Sequence, residues 1–258
     1  RILKRIRVIP ILTIDNNRLV KTIKFKKPRY IGDPINAVKI LNDKEVDEII
    51  FLDITASQNK NPPNYNLIEK ISSECFMPLA YGGGISDFSV VKKIFDLGVE
   101  KIILNSALYR NVNLIKKVVE NYGSQSIVAC LDIKKNFFGK QYVYFENGRI
   151  KSKIAPEIFS LQLESLGVGE IILNNIDREG TFMGYDLEMI NKVSNNVGVP
   201  VVACGGSRGL SDFLDAYNSG ASAVSASSSF LFKNNNKDSI LINYPTQKEL
   251  ILGFYSKI

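Results

Sequence analysis

The 258-residue chain contains no histidine, no tryptophan and only three cysteines. Without histidine, Ser-His-Asp and Cys-His catalytic centres are excluded, as is a zinc site with histidine ligands. Cys75, Cys130 and Cys204 lack metal-ligand spacing, and an odd number is typical of buried thiols in a reducing compartment. No apolar run approaches the ~18 residues of a membrane span, and the N-terminus lacks the apolar region of a signal peptide. We therefore expect a soluble cytoplasmic protein that binds no membrane.

The net charge of +7 comes from lysines scattered along the chain. No basic stripe interleaved with aromatic residues is evident, so the composition does not favour nucleic-acid binding. A positive field would help an anionic substrate to approach. Solvated helix faces are the simpler explanation of the same charge.

Residues 48–106 and 170–228 are two versions of one segment, related by a constant shift of 122 positions. The matching pieces are Glu48-Ile49-Ile50 with Glu170-Ile171-Ile172, Gly83-Gly84 with Gly205-Gly206, Gly98 with Gly220, and Asn105-Ser106 with Ser227-Ser228. An internal repeat of this length indicates a duplicated architecture.

Short apolar runs alternate with helical patterns along the whole chain, which is typical of βαβ units and a parallel sheet. The predicted strands cover residues 6–13, 48–53, 78–82, 101–105, 126–132, 170–175, 201–204 and 221–226. The predicted helices cover residues 34–42, 65–75, 87–97, 112–122, 155–166, 187–197, 210–219 and 246–256. Eight strands and eight helices predict an α/β fold, a single (β/α)8 TIM barrel over residues 1–258. Its half-barrels are residues 1–122 and 123–245, and a C-terminal helix continues to 258. An open doubly wound sheet is the alternative, but it does not explain two matching halves.

Two longer stretches interrupt this alternation after the first and fifth predicted strands. Residues 21–33 are basic and end near a glycine, and we interpret them as a long loop. Residues 134–153 contain an aromatic alternation followed by Asn147-Gly148, which predicts a hairpin. Both stretches leave from the C-terminal ends of strands, where barrel enzymes place their active sites. Long connections there are usually functional.

Two glycine pairs, Gly83-Gly84 and Gly205-Gly206, follow the third and seventh predicted strands. Each is succeeded, one β/α unit later, by a small polar turn, Asn105-Ser106 or Ser227-Ser228. Glycine lets backbone N–H groups approach an anion closely, and small hydroxyl residues add donors. A single glycine pair would most simply be a tight turn. Two pairs in register, each with a polar companion, instead predict a substrate that carries two phosphates.

Three motifs in the chain resemble the cyclase subunit of imidazole glycerol phosphate synthase, a (β/α)8 enzyme of histidine biosynthesis. The motifs are residues 51–57, 81–85 and 175–181, and the similarity extends from about residue 4 to residue 232. The sister isomerase of the same pathway shares the fold but not the run Leu-Asp-Ile-Thr-Ala-Ser. The resemblance implies a lyase-type cyclase that takes ammonia from a glutaminase subunit in a heterodimer. It also implies the substrate, a bisphosphate ribulosyl aminoimidazole carboxamide (PRFAR), and the products, imidazole glycerol phosphate and the ribotide AICAR.

In that family two aspartates on strands one and five act as acid and base. The strand-five aspartate corresponds to Asp132, whereas the strand-one position is occupied by Thr13, and the active-site lysine corresponds to Lys21. A threonine hydroxyl cannot accept a proton near neutral pH, and losing one such group commonly removes about 10²–10⁴-fold in rate. Asp15, two residues further on, lies on the same strand face if the strand continues.

The resemblance also assigns the residues that bind substrate phosphates. Glu179 stands where the family has an aspartate in its Asp-Gly-Thr motif. The implied set is Gly83, Gly84, Asn105, Ser106, Glu179, Gly180, Gly205, Gly206, Ser227 and Ser228.

At the opposite end of the barrel, the family closes its ammonia entrance with four charges. These correspond to Arg7, Glu48, Lys101 and Glu170, with Arg5 as an alternative to Arg7. A buried ring of mixed charges seldom improves stability over apolar packing, so a gated passage is the favoured interpretation. A structural salt-bridge cluster on the barrel floor is the alternative.

Three functions remain open from the sequence. The first is a cyclase, and the second is a divergent paralogue with weak cyclase activity that passes ammonia to a sugar amidotransferase of surface-polysaccharide biosynthesis. The third, a scaffold that only activates a glutaminase, is disfavoured because a scaffold has no use for phosphate sites. The partners we expect are a glutaminase and a phosphorylated small molecule. Neither a metal nor a cofactor is expected, since neither glycine pair has the dinucleotide-binding spacing.

Overall fold

The computed structural model describes residues 5–59 and 61–258. The predicted domain began at residue 1, and residues 1–4 and 60 lie outside this description. The described strands are β1 (Arg7–Asp15), β2 (Arg18–Ile23), β3 (Lys26–Gly32), β4 (Ile49–Asp53), β5 (Leu79–Gly82), β6 (Lys101–Leu104), β7 (Ile127–Lys135), β8 (Gln141–Phe145), β9 (Ile150–Lys151), β10 (Glu170–Asn175), β11 (Val201–Cys204) and β12 (Ala223–Ala226).

The described α-helices run outside the sheet or cap its strands. They are α1 (Pro34–Asn42), α2 (Ile54–Asn59), α3 (Tyr65–Glu74), α4 (Phe88–Asp96), α5 (Ser106–Arg110), α6 (Val112–Tyr122), α7 (Pro156–Ser165), α8 (Leu187–Ser194), α9 (Leu210–Asn218), α10 (Ser228–Leu231) and α11 (Gln247–Gly253).

Eight of the strands form a closed parallel barrel, which confirms the predicted fold. Their order is β10-β11-β12-β1-β4-β5-β6-β7, and β7 pairs back to β10. The bounds of β11 and β12 are those of β5 and β6 shifted by 122 positions. The repeat in the sequence is therefore also a repeat of barrel strands. The runs of Ile, Val and Leu in these strands suit a sheet that is buried on both faces.

Two antiparallel ribbons extend the barrel strands beyond its mouth. The segment 21–33, predicted as a loop, instead forms the end of β2 and all of β3, and β2 pairs with β1. That prediction was wrong because Lys26–Tyr30 are all exposed and therefore show no alternation of apolar and polar residues. The hairpin predicted at Asn147-Gly148 is confirmed, since it joins β8 to β9.

All eight predicted helices are confirmed; α1 and α6 have the predicted bounds, and the bounds of the other six shift by one to three residues. Three short helices, α2, α5 and α10, were not predicted, and each directly follows a barrel strand. They are four to six residues long, too short for a helical period to show in the sequence. Their position brings the ends of β4, β6 and β12 into tight turns at the mouth of the barrel.

The core has two layers. Inside the barrel lies a small apolar cluster: Ile9, Ile11, Ile50, Ala80, Ile103, Val128, Cys130, Ile172, Val202 and Ala223. A larger apolar shell fills the space between the sheet and the helices. Because inward and outward side chains alternate along each strand, both layers come from the same short runs. No helix of the described chain is long and apolar enough to cross a membrane.

Residues after the last barrel strand pack against the first strand at the barrel floor. The Tyr244 hydroxyl donates to the carbonyl oxygen of Val8 at 2.9 Å, and the Tyr255 hydroxyl donates to that of Ile6 at 3.2 Å. Both tyrosine rings are almost completely buried. The segment that carried none of the resemblance is therefore part of the fold.

Candidate functional site

A cavity of about 600 Å³ opens at the C-terminal ends of the barrel strands. Every one of the eight barrel strands contributes to its wall, as expected for the active-site face of this fold. The wall contains all thirteen residues that the sequence placed at the mouth: Thr13, Lys21, Gly83, Gly84, Asn105, Ser106, Asp132, Glu179, Gly180, Gly205, Gly206, Ser227 and Ser228. The predicted residues therefore share one site, although their roles remain predictions.

Asp132 is a buried carboxylate near the end of β7. Its oxygens accept hydrogen bonds from the side-chain amides of Asn174, at 2.8 Å, and Asn105, at 3.2 Å. Burial raises the pKa of Asp132 to about 7, and the hydrogen bond from Asn174 opposes that rise. A carboxyl group with this pKa exchanges protons at neutral pH, which is the property required of a general acid or base.

Thr13 faces the cavity from β1, and two nearby carboxylates, Asp15 on the same strand and Asp53 at the end of the neighbouring β4, already accept hydrogen bonds. The strand does continue to Asp15, but Asp15 accepts a hydrogen bond from the Thr55 hydroxyl at 2.6 Å and does not line the cavity. Asp53 lines the cavity, yet one of its oxygens accepts from the backbone N–H groups of Thr55 and Ala56. Neither Asp15 nor Asp53 is free to take the place of the strand-one carboxylate that is missing at position 13.

Lys21 joins the β2–β3 ribbon to the loop after β10. Its ammonium group contacts the carboxylate of Glu179, which also accepts from the Thr22 hydroxyl at 3.2 Å and the Phe25 backbone N–H at 3.1 Å. Burial lowers the pKa of Lys21 to about 8. The ribbon is thus folded down over the cavity by an ion pair that is almost completely buried.

We name the residues around the first glycine pair, Gly83, Gly84, Asn105 and Ser106, the first cradle. Gly83 has φ of +123°, and a Cβ atom there would lie 2.3 Å from the carbonyl oxygen of Asp53. Only glycine therefore fits this turn without moving the backbone. The Ser106 hydroxyl accepts from the backbone N–H of Glu146 at 3.3 Å, so the β8–β9 turn lies against this cradle.

We name the corresponding residues of the other half, Gly205, Gly206, Ser227 and Ser228, the second cradle. At Gly206, with φ of +99°, a Cβ atom would lie 2.3 Å from the carbonyl oxygen of Gly184. The hydroxyl oxygens of Ser227 and Ser228 are buried and have no hydrogen-bond partner. Buried hydroxyls without partners are costly, and a polar ligand entering the cavity can satisfy them.

The floor of the barrel carries the four charges expected there. Arg7 contacts Glu48 at 2.5 Å and Glu170 at 2.7 Å, and Lys101 contacts Glu48 at 3.0 Å and Glu170 at 3.7 Å. Each cation therefore contacts both anions, which closes a ring, and Arg7 rather than Arg5 occupies the position in it. The ring lies below the apolar interior of the barrel, whose upper residues, such as Cys130, also line the mouth cavity.

The two cysteines of the cavity are not suited to act as nucleophiles. Burial raises the pKa of the Cys204 thiol to about 11, and burial followed by the nearby Asp132 raises that of Cys130 well above its usual value. A thiol must lose its proton to become an effective nucleophile. Over residues 5–59 and 61–258 no group of three or more Cys, Asp or Glu side chains could hold a metal ion.

Several cavity residues were not identified from the sequence. Asn174 is one of them, although its position was implied by the fold, because it pairs in register with Asp132 on the neighbouring strand. Arg110, Glu146 and Asn147 also line the cavity. Arg110 is distant in sequence from the other two, and nothing in the local pattern indicated that they meet.

Residues 7–236 match the family model described as histidine biosynthesis protein. A Pseudomonas aeruginosa protein provisionally named imidazole glycerol phosphate synthase subunit hisF2 is 46% identical over 96% of this chain and 99% of its own. A Vibrio vulnificus protein, provisionally named subunit hisF3 of the same synthase, is 45% identical over 95% of each chain. The imidazole glycerol phosphate synthase subunit HisF of Alkaliphilus metalliredigens is 37% identical over 87% of this chain and 89% of its own.

Proposed function

The chain belongs to the histidine biosynthesis protein family, and from that premise we propose that it is the cyclase subunit of an imidazole glycerol phosphate synthase. It takes ammonia from a glutaminase partner bound at the barrel floor. With that ammonia it converts a bisphosphate ribulosyl aminoimidazole carboxamide to imidazole glycerol phosphate and an aminoimidazole carboxamide ribotide. The names of the relatives support this proposal.

The observation that carries the proposal is the position of Asp132. It is the buried carboxylate with a pKa near 7, and it lies in a cavity whose wall includes both cradles. A substrate held by a phosphate at each end has its middle near the strand ends, where Asp132 can exchange protons with it. Addition of ammonia and closure of a ring both require such proton transfers, and a positioned group contributes about 10²–10⁴-fold.

The path proposed for ammonia is the barrel interior between the charge ring and the cavity. Its wall is the inner apolar cluster that includes Ile9, Ile50 and Val128. An ammonium ion would have to lose its hydration there at a large cost, whereas neutral ammonia would not. The interior therefore suits the neutral nucleophile, and the ring of two cations and two anions closes its entrance without net charge.

The test is turnover of the bisphosphate substrate by the purified chain, with ammonium salts at alkaline pH and separately with glutamine plus the cognate glutaminase. We expect product in both assays. Absence of product in both, from a folded protein, would contradict the cyclase proposal. Product with ammonium salts but not with glutamine would leave the cyclase intact and contradict the role of the glutaminase.

A second candidate function is favoured by Thr13. Because the strand-one carboxylate is missing and Asp15 is bonded to Thr55, a paralogue with weak cyclase activity is also consistent with this site. In that case the chain passes ammonia to a sugar amidotransferase of surface-polysaccharide biosynthesis. Stimulation of glutamine hydrolysis by this chain, together with negligible cyclisation, would favour the second candidate over the first.

A further inference from the structure

Among the described residues that line the mouth cavity, two carry a positive charge, Lys21 and Arg110. Lys21 is buried against Glu179 and fixes the β2–β3 ribbon. Arg110 is different, because its side chain is 50% exposed and its guanidinium contacts the partly exposed carboxylate of Glu146. An ion pair at such a site is weak, so the guanidinium can change partners at little cost.

Arg110 lies in the cavity wall one helical turn from the first cradle. It is the last residue of α5, and Ser106, the first residue of that helix, lies four positions earlier on the same helix face. The β8–β9 turn closes this corner, since the Glu146 backbone N–H donates to the Ser106 hydroxyl. On the same turn the side-chain nitrogen of Asn147 is buried and has no hydrogen-bond partner.

These groups form a set of donors around one point of the cavity wall. A guanidinium and an unpaired amide lie beside a glycine turn, and the one carboxylate in the set is the current partner of the guanidinium. Guanidinium groups bind phosphate through two parallel charge-assisted hydrogen bonds, which a single carboxylate contact does not exceed. A phosphate group is therefore a better partner for Arg110 than Glu146 is.

We propose that Arg110 binds the substrate phosphate at the first cradle, that Asn147 adds a neutral donor, and that Glu146 holds Arg110 in place while the cradle is empty. This inference rests on the proposed function, because it assumes that the cradles bind phosphate. The second cradle has serine hydroxyls and no comparable exposed cation among the described cavity residues. The two ends of a bisphosphate substrate thus meet different chemistry, a charged clamp at one end and neutral donors at the other.

The experiment is a titration with inorganic phosphate, followed through the backbone amide resonances of the glycines in each cradle. Arg110→Gln should raise the dissociation constant at the first cradle about tenfold and leave the second cradle within about twofold. Glu146→Gln should lower the dissociation constant at the first cradle about threefold, because it frees the guanidinium and removes a competing negative charge.

The matched control is Arg149→Gln, which removes the same charge from an exposed position on the β8–β9 turn that does not line the cavity. Arg149→Gln should leave the phosphate dissociation constants at both cradles unchanged. If Arg110→Gln weakens binding no more than Arg149→Gln does, or if Glu146→Gln fails to tighten it, the inference is overturned while the cradles themselves stand. If phosphate moves no glycine amide of the unmodified protein, the phosphate sites of the proposed function fail instead.

Discussion

The two ends of this barrel use the same carboxylate chemistry in opposite ways. At the floor, Glu48 and Glu170 each lie between Arg7 and Lys101, so every charge has two partners of opposite sign. At the mouth, the donors to Asp132 among the described residues are neutral groups, the side-chain amides of Asn105 and Asn174 and the thiol of Cys130. The floor is therefore balanced in charge, whereas the donors to the buried carboxylate of Asp132 at the mouth carry no charge. Glu48 and Glu170 therefore have the surroundings of structural ion pairs, whereas Asp132 has surroundings that suit a group for proton transfer.

The substitution that tests this comparison with the largest expected effect is Asp132→Asn. We expect ammonia-dependent turnover to fall about 10²–10⁴-fold, because the amide occupies the same space but cannot exchange a proton. Steady-state kinetics with ammonium salts measure the effect. Asp215→Asn, which removes an exposed carboxylate outside the cavity, is the control and should leave the rate unchanged. A similar rate for both variants would show that Asp132 takes no part in proton transfer.

Glu48→Gln tests the other end of the comparison. Because Glu48 is 3% exposed and contacts both cations, its loss should lower the free energy of unfolding by about 2 kcal/mol. Urea denaturation measures the change in the free energy of unfolding. The control is Glu74→Gln, which removes an exposed pair with Lys39 and should cost less than about 0.5 kcal/mol. Equal effects of the two substitutions would mean that the floor ring contributes no more than a surface pair.

Thr13→Asp sharpens the comparison by adding a carboxylate to the mouth at the end of β1. It should increase ammonia-dependent cyclisation about tenfold, since a second acid/base group would then line the cavity beside Leu52. Asp15→Asn is the matched control and should have little effect, because Asp15 bonds Thr55 outside the cavity. A rate that falls in Thr13→Asp, or that collapses in Asp15→Asn, would contradict the placement of these two residues.

The last test of the comparison is a dependence of stability on pH. Burial raises the pKa of Asp132 to about 7, so between about pH 4 and 7 the folded protein holds a proton that the unfolded chain has released. This contribution to stability is complete below about pH 4 and is lost as the pH rises through about 7. The stability of Asp132→Asn relative to the unmodified protein should therefore increase from about pH 5 to about pH 8. Urea denaturation of both proteins at these two pH values gives the result. A constant difference would mean that Asp132 titrates in its usual range.

The repeat made the barrel predictable from the sequence, because the glycine pairs that follow β5 and β11, Gly83-Gly84 and Gly205-Gly206, align the two halves of the chain. The glycine pairs were predictable because parallel strands all present their C-terminal ends at one mouth. Asp132 was identified from the resemblance, and its place near the end of a strand agrees with that. The β2–β3 ribbon could not be predicted, because the exposed residues of β3 show no alternation of apolar and polar side chains. The contact between Arg110 and Glu146 could not be predicted either, because it depends on how the turn after β8 packs against α5.

The hydrogen bonds of Tyr244 and Tyr255 to the first strand span 236 and 249 positions of the chain. During synthesis, β1 leaves the ribosome long before the residues that complete its surroundings, including its barrel neighbour β12. Contacts of such long range slow folding, because the ends of a large loop must meet before they are stabilised. The floor of the barrel is thus sealed only after Tyr244 and Tyr255 have been synthesised, and the nascent chain must protect an unpaired edge of β1 until then.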